Sequence, residues 1–169
     1  LLELAQQQKG REFSAELLRA LAAEGLEVDQ FHPEYAAGQY EVSVGAVNPV
    51  AAADHSVLVR QTIRAVAQRH GLRVSFAPAV LAGGVGNGGH LHLSAWRDGR
   101  DLHAGGDGRL GMTADAEGFL AGIVEQLPAL AALLTPSPSS YLRMQPSHWA
   151  GVFAAWGHEN REAGVRVVT

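Results

Sequence analysis

The sequence predicts an α+β fold, a largely antiparallel sheet with packed helices. Three observations point to it. Long segments repeat apolar residues at helical spacing, short β-branched or alternating segments lie between them, and strand-like segments neighbour one another in sequence. With 169 residues, 47% hydrophobic and 18% charged, the chain fits one domain with a sizeable core.

The elements follow in order. In "REFSAELLRALAAEG", Phe13, Leu17, Leu18 and Leu21 share a helical face, and Gly25 supplies a stop. "LEVDQFHPE" and "GQYEVSVG" read as two strands of a hairpin around the short loop 35–38. "NPVAAADHSVLVRQTIRAVAQRHG" is the clearest helix. Asn48 is its N-cap, Pro49 suits its first turn, Gly71 closes it, and Val59, Ile63, Val66 and Ala67 form its apolar stripe. "LRVSFAP" reads as a strand. "GGVGNGGHLHLSAWRDGR" reads as a glycine-rich loop entering a strand. There His90, His92, Ser94 and Trp96 take one face, while Leu91, Leu93 and Ala95 take the other, against a core. "HAGGDGRLG" is a loop, and "TADAEGFLAGIVEQLPALAALL" a helix bent at Pro128. "TPSPSS" is a connector, and the tail ends in a strand. No internal repeat is present.

Composition excludes several classes. A net charge of −4 gives no electrostatic case for nucleic acid. Without cysteine there is no disulfide scaffold, thiolate zinc site or thiol nucleophile, which fits a cytoplasmic protein. No uninterrupted apolar run reaches the ~18 residues of a membrane span, and no signal-peptide pattern stands out. The opening "LLELAQQQKG" and the close in "VRVVT" suggest a piece of a longer polypeptide. The glycine-rich loop lacks a Lys-Ser/Thr ending and opens no helix, so it is not a P-loop.

Three groupings carry chemistry. Glu34 and Glu41 bracket the hairpin, and paired carboxylates suit hard cations such as Mg²⁺ or Mn²⁺; a solvated surface hairpin also carries such a pair. His32, two residues before Glu34, is a candidate supporting group. His90 and His92, as same-face neighbours, stand roughly 6.5–7 Å apart. That is too far to share one metal without distortion, but it suits one metal ligand beside a different ligand contact. Two half-exposed histidines after a flexible loop fit the spacing as well. Arg143, Arg161 and Arg166 are the guanidinium groups that phosphates and carboxylates require, unless each is a solvated surface residue.

Taken together, four ordered blocks resemble the glutamine synthetase family over nearly the whole chain. "FHPEYAAGQYEVSVG" is similar to its E-x-A-x-G-Q-x-E strand pair. "AVAQRHGLRVSFAPAVL" resembles the segment ending in F-x-P-K-P, without the Lys. "NGGHLHLS" resembles N-G-S-G-M-H-x-H-x-S. "SSYLRMQPSHWAGVFAAWGHENREAGVRV" resembles S-Y-K-R-L-x-P…A-W-G-x-x-N-R-x-x-x-I-R. The resemblance implies an ATP-dependent ligase that joins glutamate to ammonia or an amine through γ-glutamyl phosphate. It implies metal binding by Glu34, Glu41 and His90, and nucleotide contacts by His92 and Ser94. Gly86 falls beside glutamate, Arg143 at substrate and transition state, and Arg161 and Arg166 near the ATP phosphates. It further implies Mg²⁺ or Mn²⁺, a cytoplasmic location and a homo-oligomeric ring.

The departures are informative. Six residues after Arg143 the family places a Glu that helps form the ammonium pocket; here that position is Trp149. An Asn contacting glutamate is replaced by Val85. An indole wall suits an organic amine better than ammonium. The resemblance also makes residues 1–169 a partial catalytic domain. It lacks the family's N-terminal β-grasp domain, its earlier E-x-E strand and the later metal Glu and substrate Arg, so by itself it is expected to be inactive. A non-catalytic structural or regulatory family member is the alternative. A metal-dependent hydrolase using H-x-H would need further ligands that no segment supplies.

Overall fold

The computed structural model describes residues 2–169, with side-chain environments from Lys9 onward. The chain divides into two compact units, Leu1–Phe76 and Ala77–Thr169.

The first unit is two helices and a hairpin: α1 (Leu2–Ala23), β1 (Val28–Pro33), β2 (Tyr40–Val44) and α2 (Pro49–Arg69). Asn48 caps α2 as expected: its side-chain oxygen accepts from the Ala51 N–H at 3.0 Å, and Pro49 occupies the first turn. Phe13, Leu17 and Leu21 of α1 form one core with Leu26 and with Val59, Val66 and Ala67 of α2, and Val28, Phe31, Val42 and Val44 of the hairpin pack against it. Leu18 is exposed instead, because it lies about 100° around the helix from Leu17. Thr62 is buried, and its hydroxyl donates to the Glu24 carboxylate at 2.7 and 2.9 Å, as a buried hydroxyl requires. A second tie joins the two helices. Glu16 accepts from Arg69 Nε at 2.6 Å and lies 2.7 Å from His70 Nε2. The hydrogen bonds to His70 and then Arg69 hold the Glu16 carboxyl below its usual value.

The second unit contains β3 (Trp96–Arg97), β4 (Arg100–Asp101), α3 (Ala114–Leu134), α4 (Pro138–Arg143), β5 (Phe153–His158) and β6 (Ala163–Val167). Its core is smaller: Met112, Ala116 and Leu120, backed by Val124, Trp156, Val165 and Val167. Thr113 caps α3; its oxygen accepts from the Ala116 N–H at 3.2 Å and its hydroxyl donates to the Leu102 carbonyl. By length and composition α3 suffices to cross a membrane, yet its first turn carries Asp115 and Glu117, and Ala116 and Leu120 belong to the core.

The α+β class holds, but, among the described residues, as three two-stranded sheets. The β1–β2 and β3–β4 pairs are antiparallel, whereas β5–β6 is parallel, because residues 159–162 carry the chain back to the start of β5. Three local expectations change. Residues 72–78 form no strand; Asn87 donates to the Ala77 carbonyl from its side chain at 2.7 Å and to the Pro78 carbonyl from its backbone at 2.8 Å. Residues 90–95 likewise join no ladder, and Leu91 and Leu93 are exposed rather than packed on a core. Pro128 lies inside α3, and, third, the 135–140 connector already contains the start of α4.

Candidate active site

The hairpin register explains how the first unit gathers its polar groups. His32 of β1 stands directly opposite Glu41 of β2, and Glu34 follows two residues after His32. Opposed residues share a face with Cβ atoms about 5 Å apart, and residues two apart share it too. Ligand atoms of His32, Glu34 and Glu41 accordingly all lie within 4.8 Å of one another. His32 Nδ1 is 3.4 Å from a Glu34 oxygen. Two carboxylates and an imidazole at these separations fit the mixed oxygen and nitrogen shell of a hard divalent cation. The sequence points to the two glutamates as ligands and to His32 only as a supporting group. Strand alternation and register, combined, bring it in.

In the second unit the glycine-rich segment wraps around Arg143, in the last turn of α4. A Cβ on Gly86 would overlap Arg143 Cγ and approach Cδ to 2.8 Å, so only glycine lets the backbone lie against this side chain. A Cβ on Gly88 would sit 3.4 Å from His90 Nε2 and 3.9 Å from Arg143 Nη1. Gly86, Gly88, His90 and Arg143 therefore meet at one place. Burial pushes the Arg143 guanidinium below its usual value, and a guanidinium nevertheless stays charged at neutral pH. The His90 and His92 rings stand 6.4 Å apart, tilted by 43°. That is the separation expected of neighbours on one side of an extended chain, although no ladder holds them. Ser94 Oγ accepts from the Trp96 indole N–H at 3.1 Å.

Beyond α4 the chain makes a tight loop to Trp149, where the Arg161 guanidinium lies over the indole, 5.7 Å from its centre. Arg161 precedes β6, and Arg166 lies inside it, paired with Gly157 of β5. The sequence reading did not single out Glu162, whose carboxylate accepts from the backbone N–H groups of Ser147 and Trp149 at 3.0 and 2.7 Å. Thirteen residues separate Glu162 from Trp149, and no periodicity links them. The structure thus brings together Gly86, His90 and Arg143, and separately Trp149 with Arg161, within the second unit; Glu34 and Glu41 meet in the first.

Fold and site together define a family. The model of the glutamine synthetase catalytic domain matches residues 1–169, and the chain belongs to that family. It is 74% identical over 156 residues to the gamma-glutamylpolyamine synthetase GlnA3 of Streptomyces coelicolor, covering 92% of this chain and 34% of that protein. It is 36% identical over 159 residues to the glutamine synthetase of Thermococcus kodakarensis, covering 94% of this chain and 35% of that protein. Among solved structures, apo GmaS superposes with a TM-score of 0.77 at 33% identity, over 85% of this chain and 34% of that one. The cryo-EM structure of Plasmodium falciparum glutamine synthetase superposes with a TM-score of 0.77 at 25% identity, over 81% and 26%. The chain spans about a third of the length of the curated relatives it matches.

Proposed function

We propose that the protein carrying this chain is an ATP-dependent ligase that joins the γ-carboxylate of glutamate to an organic amine, a polyamine above all. A γ-carboxylate oxygen attacks the γ-phosphorus of ATP and ADP leaves. The amine nitrogen then attacks the acyl carbon of γ-glutamyl phosphate, phosphate leaves, and the nitrogen loses a proton as the amide forms. Two anions meet in the first step, so catalysis is chiefly charge neutralisation and positioning.

The roles follow from that demand. Glu34 and Glu41, with His32 beside them, would hold one divalent cation, and His90 would ligate a second. Bound Mg²⁺ or Mn²⁺ would supply positive charge at the transferring phosphoryl group. Arg143, seated against Gly86, contacts glutamate and the developing charge. Arg161 and Arg166 face the phosphates, and His92 and Ser94 the nucleotide. Residues 1–169 are part of the catalytic domain; the β-grasp domain and the remaining metal and substrate residues lie outside them. The whole protein is a cytoplasmic homo-oligomeric ring, with no membrane or nucleic-acid partner.

One observation carries the choice of acceptor: Trp149, an aromatic wall under Arg161 where the family has a carboxylate for ammonium. A compact ammonium ion gains little from an indole in place of a carboxylate. A polyamine buries methylenes at roughly 0.8 kcal/mol each and sets a cationic nitrogen over the ring. The name of the 74%-identical Streptomyces relative supports the same acceptor. The test is phosphate release by the full-length protein with glutamate, ATP and a panel of ammonia, alkylamines, amino alcohols and polyamines. We expect the highest kcat/KM with a polyamine, and Trp149→Glu should raise ammonia use. Highest turnover with ammonia would remove Trp149 as the specificity element. No turnover with any amine would favour the non-catalytic alternative.

A further inference from the structure

We propose that Glu162 is a positioning residue whose carboxylate fixes the Ser147–Trp149 turn and so sets the indole of Trp149 in place. The inference rests on the reading of Trp149 as the wall of the amine site and adds what holds that wall. Ser147 and Trp149 both have positive φ, 66° and 54°. Residues with side chains adopt that conformation rarely and keep it only where the surroundings enforce it. Here one group meets both residues. Glu162 Oε2 accepts from the Ser147 N–H at 3.0 Å, and Oε1 accepts from the Trp149 N–H at 2.7 Å. Charged acceptors make the stronger hydrogen bonds, and two in parallel fix direction as well as distance.

Glu162 is itself held. Its backbone N–H donates to Asn160 Oδ1 at 2.9 Å, and its carbonyl accepts from the Phe153 N–H at 3.3 Å. The neighbouring Arg161 carbonyl accepts from the Gly151 N–H at 3.2 Å. The loop that starts at Arg143 is thus fastened at both Trp149 and Gly151 to the two residues 161 and 162. Arg161 lies over the indole from the same two-residue segment. One short piece of chain therefore carries both the cation that lies over the indole and the carboxylate that meets the turn. Both Glu162 oxygens already meet main-chain donors, which favours holding the turn over binding the amine directly.

The experiment labels the full-length protein with 5-fluorotryptophan and follows the ¹⁹F line of Trp149, assigned by Trp149→Phe, in Glu162→Ala and Glu162→Gln. We expect one sharp line in the parent. In Glu162→Ala it should split or broaden. Glu162→Gln keeps one acceptor oxygen and should be intermediate. The lines of Trp96 and Trp156 should stay in place, which reports an intact fold. In initial-rate assays Glu162→Ala should raise the KM for a polyamine about tenfold, with KM for ATP and glutamate unchanged within about twofold and Glu162→Gln partly restoring it. An unchanged Trp149 line in both variants would overturn the inference. A disturbed line with an unchanged amine KM would leave Glu162 as the pin and overturn the reading of Trp149 as the amine wall. Should Glu162→Ala fail to fold, the Glu162→Gln line decides alone: unchanged, the inference falls; altered, it stands.

Discussion

The two units are built by different physics. In the first, α1 and α2 bury complementary stripes, with Leu17, Leu21 and Val66 almost fully enclosed, and the hairpin between them covers the same core. In the second, the core is three buried residues at the start of α3, and the site-bearing segments at 83–95 and 143–151 are loops held by glycine fit and side-chain-to-backbone hydrogen bonds. The first unit is a support with a metal-type cluster on its hairpin. The second carries its candidate site residues mainly on loops. Stability resides in packed apolar area, whereas loops that position ligands are stabilised contact by contact.

The largest contrast to test is packing. Leu21→Ala removes an enclosed side chain and should cost about 2–5 kcal/mol in denaturant unfolding, while Leu91→Ala should change stability by less than about 0.5 kcal/mol. Equal losses would break the comparison. Glycines sharpen it next. Gly86→Ala must displace the Arg143 stem, an overpacking of about 1–3 kcal/mol that should lower kcat/KM for glutamate by about ten- to a hundredfold. Gly118, inside α3 with no atom within 4 Å of where a Cβ would stand, should gain about 0.5–1 kcal/mol on change to Ala. A harmless Gly86→Ala would mean that Arg143 is not set by close approach. The smallest effect is electrostatic. The Glu16 carboxyl is held below its usual 4.5 by His70 and Arg69. Its contribution is present above that value and is lost as pH falls through the lowered one. Glu16→Gln should flatten the acid limb of stability against pH, measured by thermal unfolding from pH 6 to 3. An unaltered limb would show that the tie between α1 and the end of α2 is inert.

The sequence by itself determined the elements whose signals are local. Asn48-Pro49 at the head of α2, the apolar stripes of α1 and α2, and the hairpin alternation each sit within a few residues, so propensity, capping and period agree there. The ordered motif blocks determined the family and named the residues to look for. Tertiary structure decided what depends on a distant partner. The alternation at 90–95 looked like a strand, but alternation states only which way side chains turn, and a strand also needs a neighbour to take its backbone groups. Register joined His32 to the two glutamates. The return of residues 159–162 made β5–β6 parallel and put Glu162 under the N–H groups of Ser147 and Trp149. Contacts between residues ten or more apart in sequence have no periodic signature, because their geometry is the sum of every turn between them.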